Sequence, residues 1–242
     1  MNRTIDVIAR VRRKIALRAR LRRLADQQKF HALYRKYRFA TMIPRRIFVL
    51  NLTAASETLG LLSSGAVVEC GTWRGGMSAA LTELSPEREF YFFDSFDGLP
   101  PAGELDGPVA PQWQKDGENY NNCSASIEEF SSTISLSPAK NIKIVKGLFQ
   151  NTLPGFEPPP IAVLRLDADW YDSTMICLQT FWDHILPEGI ILIDDYYWWE
   201  GCSRAVHDFL SSRKASERIE QLSAGLAVIR KGHHFGFSLN PR

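Results

Sequence analysis

Four aspartates, Asp167, Asp169, Asp194 and Asp195, close two short apolar runs, in RLDADWYDST (165–174) and ILIDDY (191–196). A glycine-rich turn follows a third apolar run, in VVECGTWRGG (67–76). Short apolar runs bounded by turn residues read as buried strands, and open α/β sheets bind ligands at the carboxyl ends of their strands. Four like charges at two such ends repel one another unless a cation lies among them. Their hard oxygens select Mg²⁺, Ca²⁺ or Mn²⁺ over zinc, and no histidine falls near these motifs. The pattern predicts a nucleotide-like cofactor beside a divalent metal. A competing reading makes Asp169 or Asp172 a cap for a helix starting near Ser173 and Asp195 a solvated turn residue. That reading leaves the acids of the two strand ends uncompensated.

In the glycine-rich turn, Gly71, Gly75 and Gly76 let the backbone bend tightly against a ligand. The spacing is E-x-G-x-x-x-G-G, which departs from the dinucleotide pattern G-x-G-x-x-G. Glu69, at the end of the strand, repels phosphate and suits a cationic ligand. S-adenosylmethionine, with an amino group, a sulfonium and no phosphate, meets that description. Asp94 ends a further apolar run, EFYFFD (89–94), where a carboxylate accepts hydrogen bonds from ribose hydroxyls. A metal beside a sulfonium donor suggests methyl transfer to an alcohol. The cation lowers the hydroxyl pKa, a carboxylate takes the proton, and proximity supplies much of the acceleration.

The elements that position these residues alternate. Strands are expected at Ala66–Cys70, Glu89–Asp94, Asn141–Val145, Ile161–Leu166 and Gly189–Ile193, and helices at Gly76–Leu84, Ser124–Ile134, Ser173–Ile185 and Ser203–Arg213. Ile219–Leu222 and Leu226–Ile229 pair as a closing hairpin around Ser223–Gly225. Alternating β and α predicts an α/β fold with a doubly wound, mostly parallel sheet. Residues 97–122, polar and rich in Gly, Pro and Asn, read as a long lid or binding loop.

The 242 residues suffice for one α/β domain with a full core. No apolar run approaches the roughly 18 residues of a membrane span, and the N-terminus lacks the apolar core of a secretory signal. Cys70, Cys123, Cys177 and Cys202 show no metal-ligand spacing, which predicts a reducing, cytoplasmic setting. The five histidines fall on surface or helix positions. The net charge of +2 conceals a division: residues 1–46 carry 15 Lys and Arg against Asp6 and Asp26, and the remainder is acidic. Residues 4–38 read as an amphipathic helix, with Ile5, Ile8, Val11, Ile15, Leu17, Leu21 and Leu24 near helical spacing. The expected organisation is a basic helical arm over 1–46, packed on the acidic body or on a second subunit as in a homo-oligomer, and a catalytic body over 47–242. Nothing in the arm reads a base or anchors a lipid, so nucleic acid is not an expected partner.

The chain resembles the macrocin O-methyltransferase family of metal- and S-adenosylmethionine-dependent sugar methyltransferases. The matching stretches, in family order, are ATMIP (40–44), ECGTWRGG (69–76), DSFDGLP (94–100), KGLFQNTLP (146–154), RLDADWYDSTM (165–175) and ILIDDY (191–196). The resemblance implies a Rossmann-like class I methyltransferase fold with a seven-stranded sheet. It implies that Asp167, Asp194 and Asp195 hold Mg²⁺ and that Asp169 is the general base. It places Thr41, Met42, Glu69, Gly71, Trp73, Asp94 and Ser95 along the cofactor, with Gly75 in the same turn. Three departures stand out: Ala168 between the two acids where the family tends to have Gly, Pro44 after TMI, and Tyr197-Trp198-Trp199 after the DDY segment. Those aromatics are expected near the acceptor, either stacked on a sugar or planar ring or packed beneath the lid. The expected acceptor is a small-molecule hydroxyl flanked by a second oxygen, on a sugar or a glycosylated natural product. Two alternatives stay open: a metal-dependent glycosyltransferase using Asp167-Ala168-Asp169 as a DxD clamp, and a non-catalytic binding protein whose working element is the arm.

Overall fold

The computed structural model describes residues 25–116 and 122–232. Residues 4–24 of the expected arm helix, with its apolar stripe, lie outside the described residues. A helix over 25–37, here α1, continues into a single 3₁₀ turn, Arg38–Ala40, and is followed by α2 (Arg45–Leu61). The alternating part then runs β1 (Ala66–Cys70), α3 (Gly76–Thr82), β2 (Phe90–Asp94), α4 (Val109–Lys115), α5 (Ile127–Ile134), β3 (Ile142–Lys146), α6 (Phe149–Thr152), β4 (Ile161–Leu166), α7 (Tyr171–Phe181), β5 (Ile185–Ile193), α8 (Glu200–Ser212), β6 (Ile219–Ser223) and β7 (Leu226–Arg230).

The seven strands form one sheet in the order β3-β2-β1-β4-β5-β7-β6. β3 through β5 are parallel, and β7 joins β5 and β6 antiparallel as the closing hairpin. Chain order reverses at β1, so the crevice outside the ends of β1 and β4 is the switch point of the sheet.

Period-two alternation sends neighbouring strand residues to opposite faces. On one face Val67, Phe90, Phe92, Ile190 and Leu192 pack with Phe30, Leu33 and Tyr37 of α1 and Phe48 and Leu52 of α2. On the other, Val68, Phe93, Leu164, Leu166 and Ile191 pack with Cys177, Leu178 and Phe181 of α7 and Val206 and Phe209 of α8. Each buried aromatic or aliphatic side chain contributes about 1.5–3 kcal/mol, so both layers fix the strand ends firmly. The sequence of residues 25–37 belongs to the basic segment, yet its apolar stripe is core.

Most element ends shift by one to four residues from the sequence reading, and three differences bear on the site. The helix expected over Ser173–Ile185 starts at Tyr171 and ends at Phe181, a 3₁₀ turn (Trp182–His184) follows, and Ile185 opens β5. Asp106 Oδ1 accepts a hydrogen bond from Tyr171 N at 2.7 Å, capping that helix from a remote loop. α5 begins at Ile127, with Ser126 as cap: Ser126 Oγ accepts from Glu129 N (3.1 Å) and Glu129 Oε2 from Ser126 N (2.9 Å). The segment expected as one long loop contains a 3₁₀ turn, Glu104–Asp106, and α4.

Candidate active site

The glycine-rich turn is built by close backbone approach. Gly71 has φ 84°, and a Cβ there would stand 1.8 Å from the Asp167 carbonyl oxygen. Gly71 N donates to Phe93 O (2.9 Å), Asp167 N to Cys70 O (2.9 Å) and Asp194 N to Leu166 O (3.0 Å), which ties the strand ends side by side. Gly75 opens α3 at φ 83°, and a Cβ there would meet the Phe130 ring. Trp73 sits in the left-handed region at φ 48°. Asp94 clamps the turn: its Oδ2 accepts from Thr72 N (2.6 Å) and Trp73 N (2.8 Å), and its Oδ1 from Phe96 N (2.7 Å). Oδ1 retains acceptor capacity for a further donor.

A cavity of about 280 Å³ opens at the switch point. Of the residues expected from sequence, Met42, Gly71, Trp73, Asp94, Ser95, Asp167, Asp169, Asp194 and Asp195 line it. Thr41, Glu69 and Gly75 do not. Thr41 Oγ1 accepts from Ile43 N (3.2 Å) and shapes the entry segment. Glu69 is fully buried below the turn. Its Oε2 accepts from Ser78 Oγ of α3, and its Oε1 pairs with Arg165 Nη1 at 2.8 Å. Glu69 therefore spends its charge inside the protein instead of meeting a ligand cation directly.

Arg165 is the centre of the electrostatics. It is 1% exposed, is the register partner of Glu69 across β1 and β4, and reaches Asp167 Oδ2 (3.0 Å) and Asp194 Oδ2 (2.8 Å) with Nη2. Asn51 of α2 donates to Asp194 Oδ1 at 3.1 Å. Both oxygens of Asp194 are thus held in place. Burial raises the Glu69 carboxyl to about 7 against the pull of Arg165, and burial raises Asp194 to about 6 against the same pull. Asp169 is pushed up to about 8, first by burial and then by the charge of Asp167, while Trp199 pulls the other way. Asp195 rises well above the usual range through burial and the charge of Asp169. Asp169 has φ 55°, a strained conformation for a residue other than Gly, and its N–H donates to Asp195 Oδ2 at 3.0 Å.

The donor chemistry fits a hard divalent cation. Asp167, Asp194 and Asp195 all line the cavity, and burial, followed by mutual repulsion, raises the carboxyls of Asp169 and Asp195. Among the described residues, no group of three or more His, Cys, Asp or Glu side chains is already gathered as a metal cage.

An aromatic cluster packs beside the Asp195 turn without itself lining the cavity. Trp199 packs against Trp113 (5.2 Å between ring centroids) and Trp170 (5.0 Å), and Trp170 Nε1 donates to Pro100 O at 2.8 Å. The segment 97–116 is held over α7 by this cluster and by Asp106. Trp198 lines the cavity and is 66% exposed. The two sequence expectations for these aromatics thus fall on different residues: Trp199 lies beneath the lid segment and Trp198 faces the open cavity.

The sequence reading passed over Arg165 and Asn51. A lone arginine in the apolar run IAVLRL was the available signal, since a charge in a central strand demands a buried counter-charge. Asn51 carried no signal, because an amide on a helix face is ordinary. Cys70, Cys177 and Cys202 are buried, and none of the four cysteines is in a disulfide among the described residues.

The sheet order and the ligand cavity at its switch point define a Rossmann-like class I methyltransferase fold. The macrocin-O-methyltransferase (TylF) family model matches residues 8–231, and the chain belongs to that family. It is 29% identical over 165 residues to the 8-demethyl-8-(2,3-dimethoxy-alpha-L-rhamnosyl)-tetracenomycin-C 4'-O-methyltransferase of Streptomyces olivaceus, covering 65% of this chain and 62% of that protein. It is 28% identical to the mycinamicin III 3''-O-methyltransferase of Micromonospora griseorubida, covering 65% of each. The matches thus span just under two thirds of the length of these curated relatives. Among solved structures, the O-methyltransferase NovP superposes with a TM-score of 0.70 at 23% identity, over 80% of this chain and 83% of that one. No described helix is long and apolar enough to cross a membrane.

Proposed function

We propose that the chain is an S-adenosylmethionine-dependent, Mg²⁺-dependent O-methyltransferase acting on a hydroxyl of a small molecule, a sugar or a glycosylated natural product. The observation that carries this reading is a cavity at the switch point lined both by Asp94 and the turn it clamps and by the four aspartates. Family membership supports methyl transfer over the nucleotide-sugar alternative. The relatives named for methylation of sugar-bearing natural products support the acceptor class.

In this reading Met42, Gly71, Trp73, Asp94 and Ser95 line the cofactor, and Thr41, Glu69 and Gly75 shape the turn that holds it. Asp167, Asp194 and Asp195 would hold Mg²⁺, which when bound lowers the pKa of a chelated hydroxyl. Asp169, which lines the same cavity, takes the hydroxyl proton. The acceptor oxygen would then attack the methyl carbon: an O–CH₃ bond forms, the S–CH₃ bond breaks with its electron pair going to sulfur, and S-adenosylhomocysteine leaves. Arg165 and Asn51 orient Asp194. The basic segment 1–46, opposite in charge to the body over 47–242, is a candidate for assembly into a homo-oligomer. Cysteines outside any disulfide fit a reducing, cytoplasmic setting.

A screen of diols and glycosides with methyl-labelled S-adenosylmethionine tests the reading. Transfer is expected with Mg²⁺ and is lost in EDTA, and Asp169→Asn is expected to bind S-adenosylhomocysteine normally while turnover collapses. Full activity in chelator removes the metal from the mechanism; near-native turnover of Asp169→Asn removes the base assignment.

A further inference from the structure

We propose that Trp199 is a positioning residue for the general base: its indole N–H fixes the Asp169 carboxylate from behind and leaves the cavity side of that carboxylate to the acceptor hydroxyl. The proposal rests on the methyltransferase reading and adds a residue to its machinery.

Asp169 needs a hold on its side chain. It sits in a tight kink at φ 55°, across which Trp170 N donates to Ala168 O at 2.6 Å. Its own N–H is tied to Asp195 Oδ2 at 3.0 Å. Both bonds fix the backbone and leave the side-chain torsions to the neighbours. The charges of Asp167 and Asp194 repel the Asp169 carboxylate. The buried Arg165 pairs with Glu69, Asp167 and Asp194, so its cation is spent elsewhere. The side-chain donor that meets the Asp169 carboxyl is Trp199, whose indole carries one donor, Nε1–H. Asp169 lines the cavity and Trp199 does not, so the indole meets the carboxylate from the protein side.

Trp199 is itself held at several points. Its N–H donates to Asp195 O at 3.0 Å. Its ring packs edge-on against Trp170, 5.0 Å between centroids at 68°, and against Trp113 at 5.2 Å. Trp170 is the chain neighbour of Asp169, is 2% exposed and is anchored by Nε1 on Pro100 O at 2.8 Å. Asp195 thus holds the backbones of both Asp169 and Trp199, and the two side chains close the circuit. Such a closed set moves as one unit, which keeps the base in register with the Asp195 turn. Trp199 belongs to the aromatic run, Tyr197-Trp198-Trp199, by which this chain departs from the usual family pattern.

Trp199→Phe tests this, because it keeps a ring in the cluster and removes the N–H. The first readout is indole N–H NMR of the nitrogen-labelled full-length protein, with its six tryptophans, in S-adenosylhomocysteine and Mg²⁺. One indole signal is expected to vanish in Trp199→Phe, and the same signal to shift in Asp169→Asn. The second readout is turnover of the acceptor taken fastest in the diol and glycoside screen. Trp199→Phe is expected to lower kcat about tenfold or more, with the acceptor KM and the S-adenosylhomocysteine affinity within about twofold. Trp113→Phe, which alters the same cluster, is expected to keep kcat within about twofold. In the Asp169→Asn background Trp199→Phe is expected to change nothing further, because it acts through Asp169. Wild-type kcat in Trp199→Phe overturns the proposal, as does an equal loss in both backgrounds or a Trp199 signal that ignores Asp169→Asn. A wild type that transfers methyl to no acceptor overturns the function reading instead, and this proposal falls with it.

Discussion

Replacing Arg165 with methionine removes a cation that touches Glu69, Asp167 and Asp194 from beneath the cavity. Removing one partner of a buried ion pair costs about 3–5 kcal/mol, because the remaining charge stays desolvated. The structure supports the upper part of that range at neutral pH. With Arg165 present, the Glu69 carboxyl already stands at about 7 against an ordinary 4.5, a shift equivalent to about 3 kcal/mol. Without Arg165 it rises further, so above pH 7 the fold must either bury an unpaired carboxylate or hold a proton there. For a chain of this length the loss corresponds to a fall in Tm of roughly 6–20 °C. Urea denaturation of wild type and Arg165→Met at pH 8 and pH 5 measures it. The deficit is expected to be largest at pH 8 and to shrink at pH 5, where Glu69 and Asp194 are protonated in both proteins. Arg165→Lys keeps the charge but not the fork that spans two strand ends, so an intermediate loss is expected. A deficit below about 1 kcal/mol at pH 8, or one that grows on acidification, refutes this account of the buried network.

The wild type carries its own pH signature. The folded Glu69 pKa lies above its unfolded value, so the folded state binds more protons between pH 4.5 and about 7, and stability falls as pH rises through that window. Tm in chelated buffer is expected to drop from pH 5 to pH 8, Glu69→Gln to flatten that slope, and Mg²⁺ to restore more stability at pH 8 than at pH 5. A slope that Glu69→Gln leaves unchanged contradicts the assignment. Asp106→Ala removes the acceptor for Tyr171 N and Gly103 N, with an expected loss of about 1–2 kcal/mol and faster amide exchange across 97–116. Unchanged exchange in that segment contradicts the view that Asp106 holds it to α7.

β1, β2, β4 and β5 were legible because each reads as a short apolar run bounded by Gly, Pro or an acid, and burial on both faces leaves little else for such a run to be; the edge strand β3, IKIVK, was legible from its alternation. The strand-end acids were legible for the same reason: a charge after five apolar residues marks where the sheet meets the cavity. The division within segment 97–116 was not legible, since its 3₁₀ turn and α4 are stabilised by the distant Trp170, Trp199 and α7 rather than by their own periodicity. The fate of Glu69 was hidden by register. Its strand-end position suggested a ligand contact, and the pairing of β1 with β4 instead sets it opposite Arg165. The different fates of Trp198 and Trp199 follow from the turn at Asp195, which directs neighbouring residues apart. That turn cannot be read from three adjacent aromatics.

On the proposed function, this cavity holds an adenosine-containing, phosphate-free cofactor beside the Asp94 clamp and the aspartates. Calorimetric titration with S-adenosylhomocysteine, alongside UDP and GDP in the presence of Mn²⁺, tests it most directly. Saturable heat with S-adenosylhomocysteine, lost in Asp94→Ala, and no heat with either nucleotide is the predicted result. Binding of UDP or GDP, with S-adenosylhomocysteine silent, contradicts it.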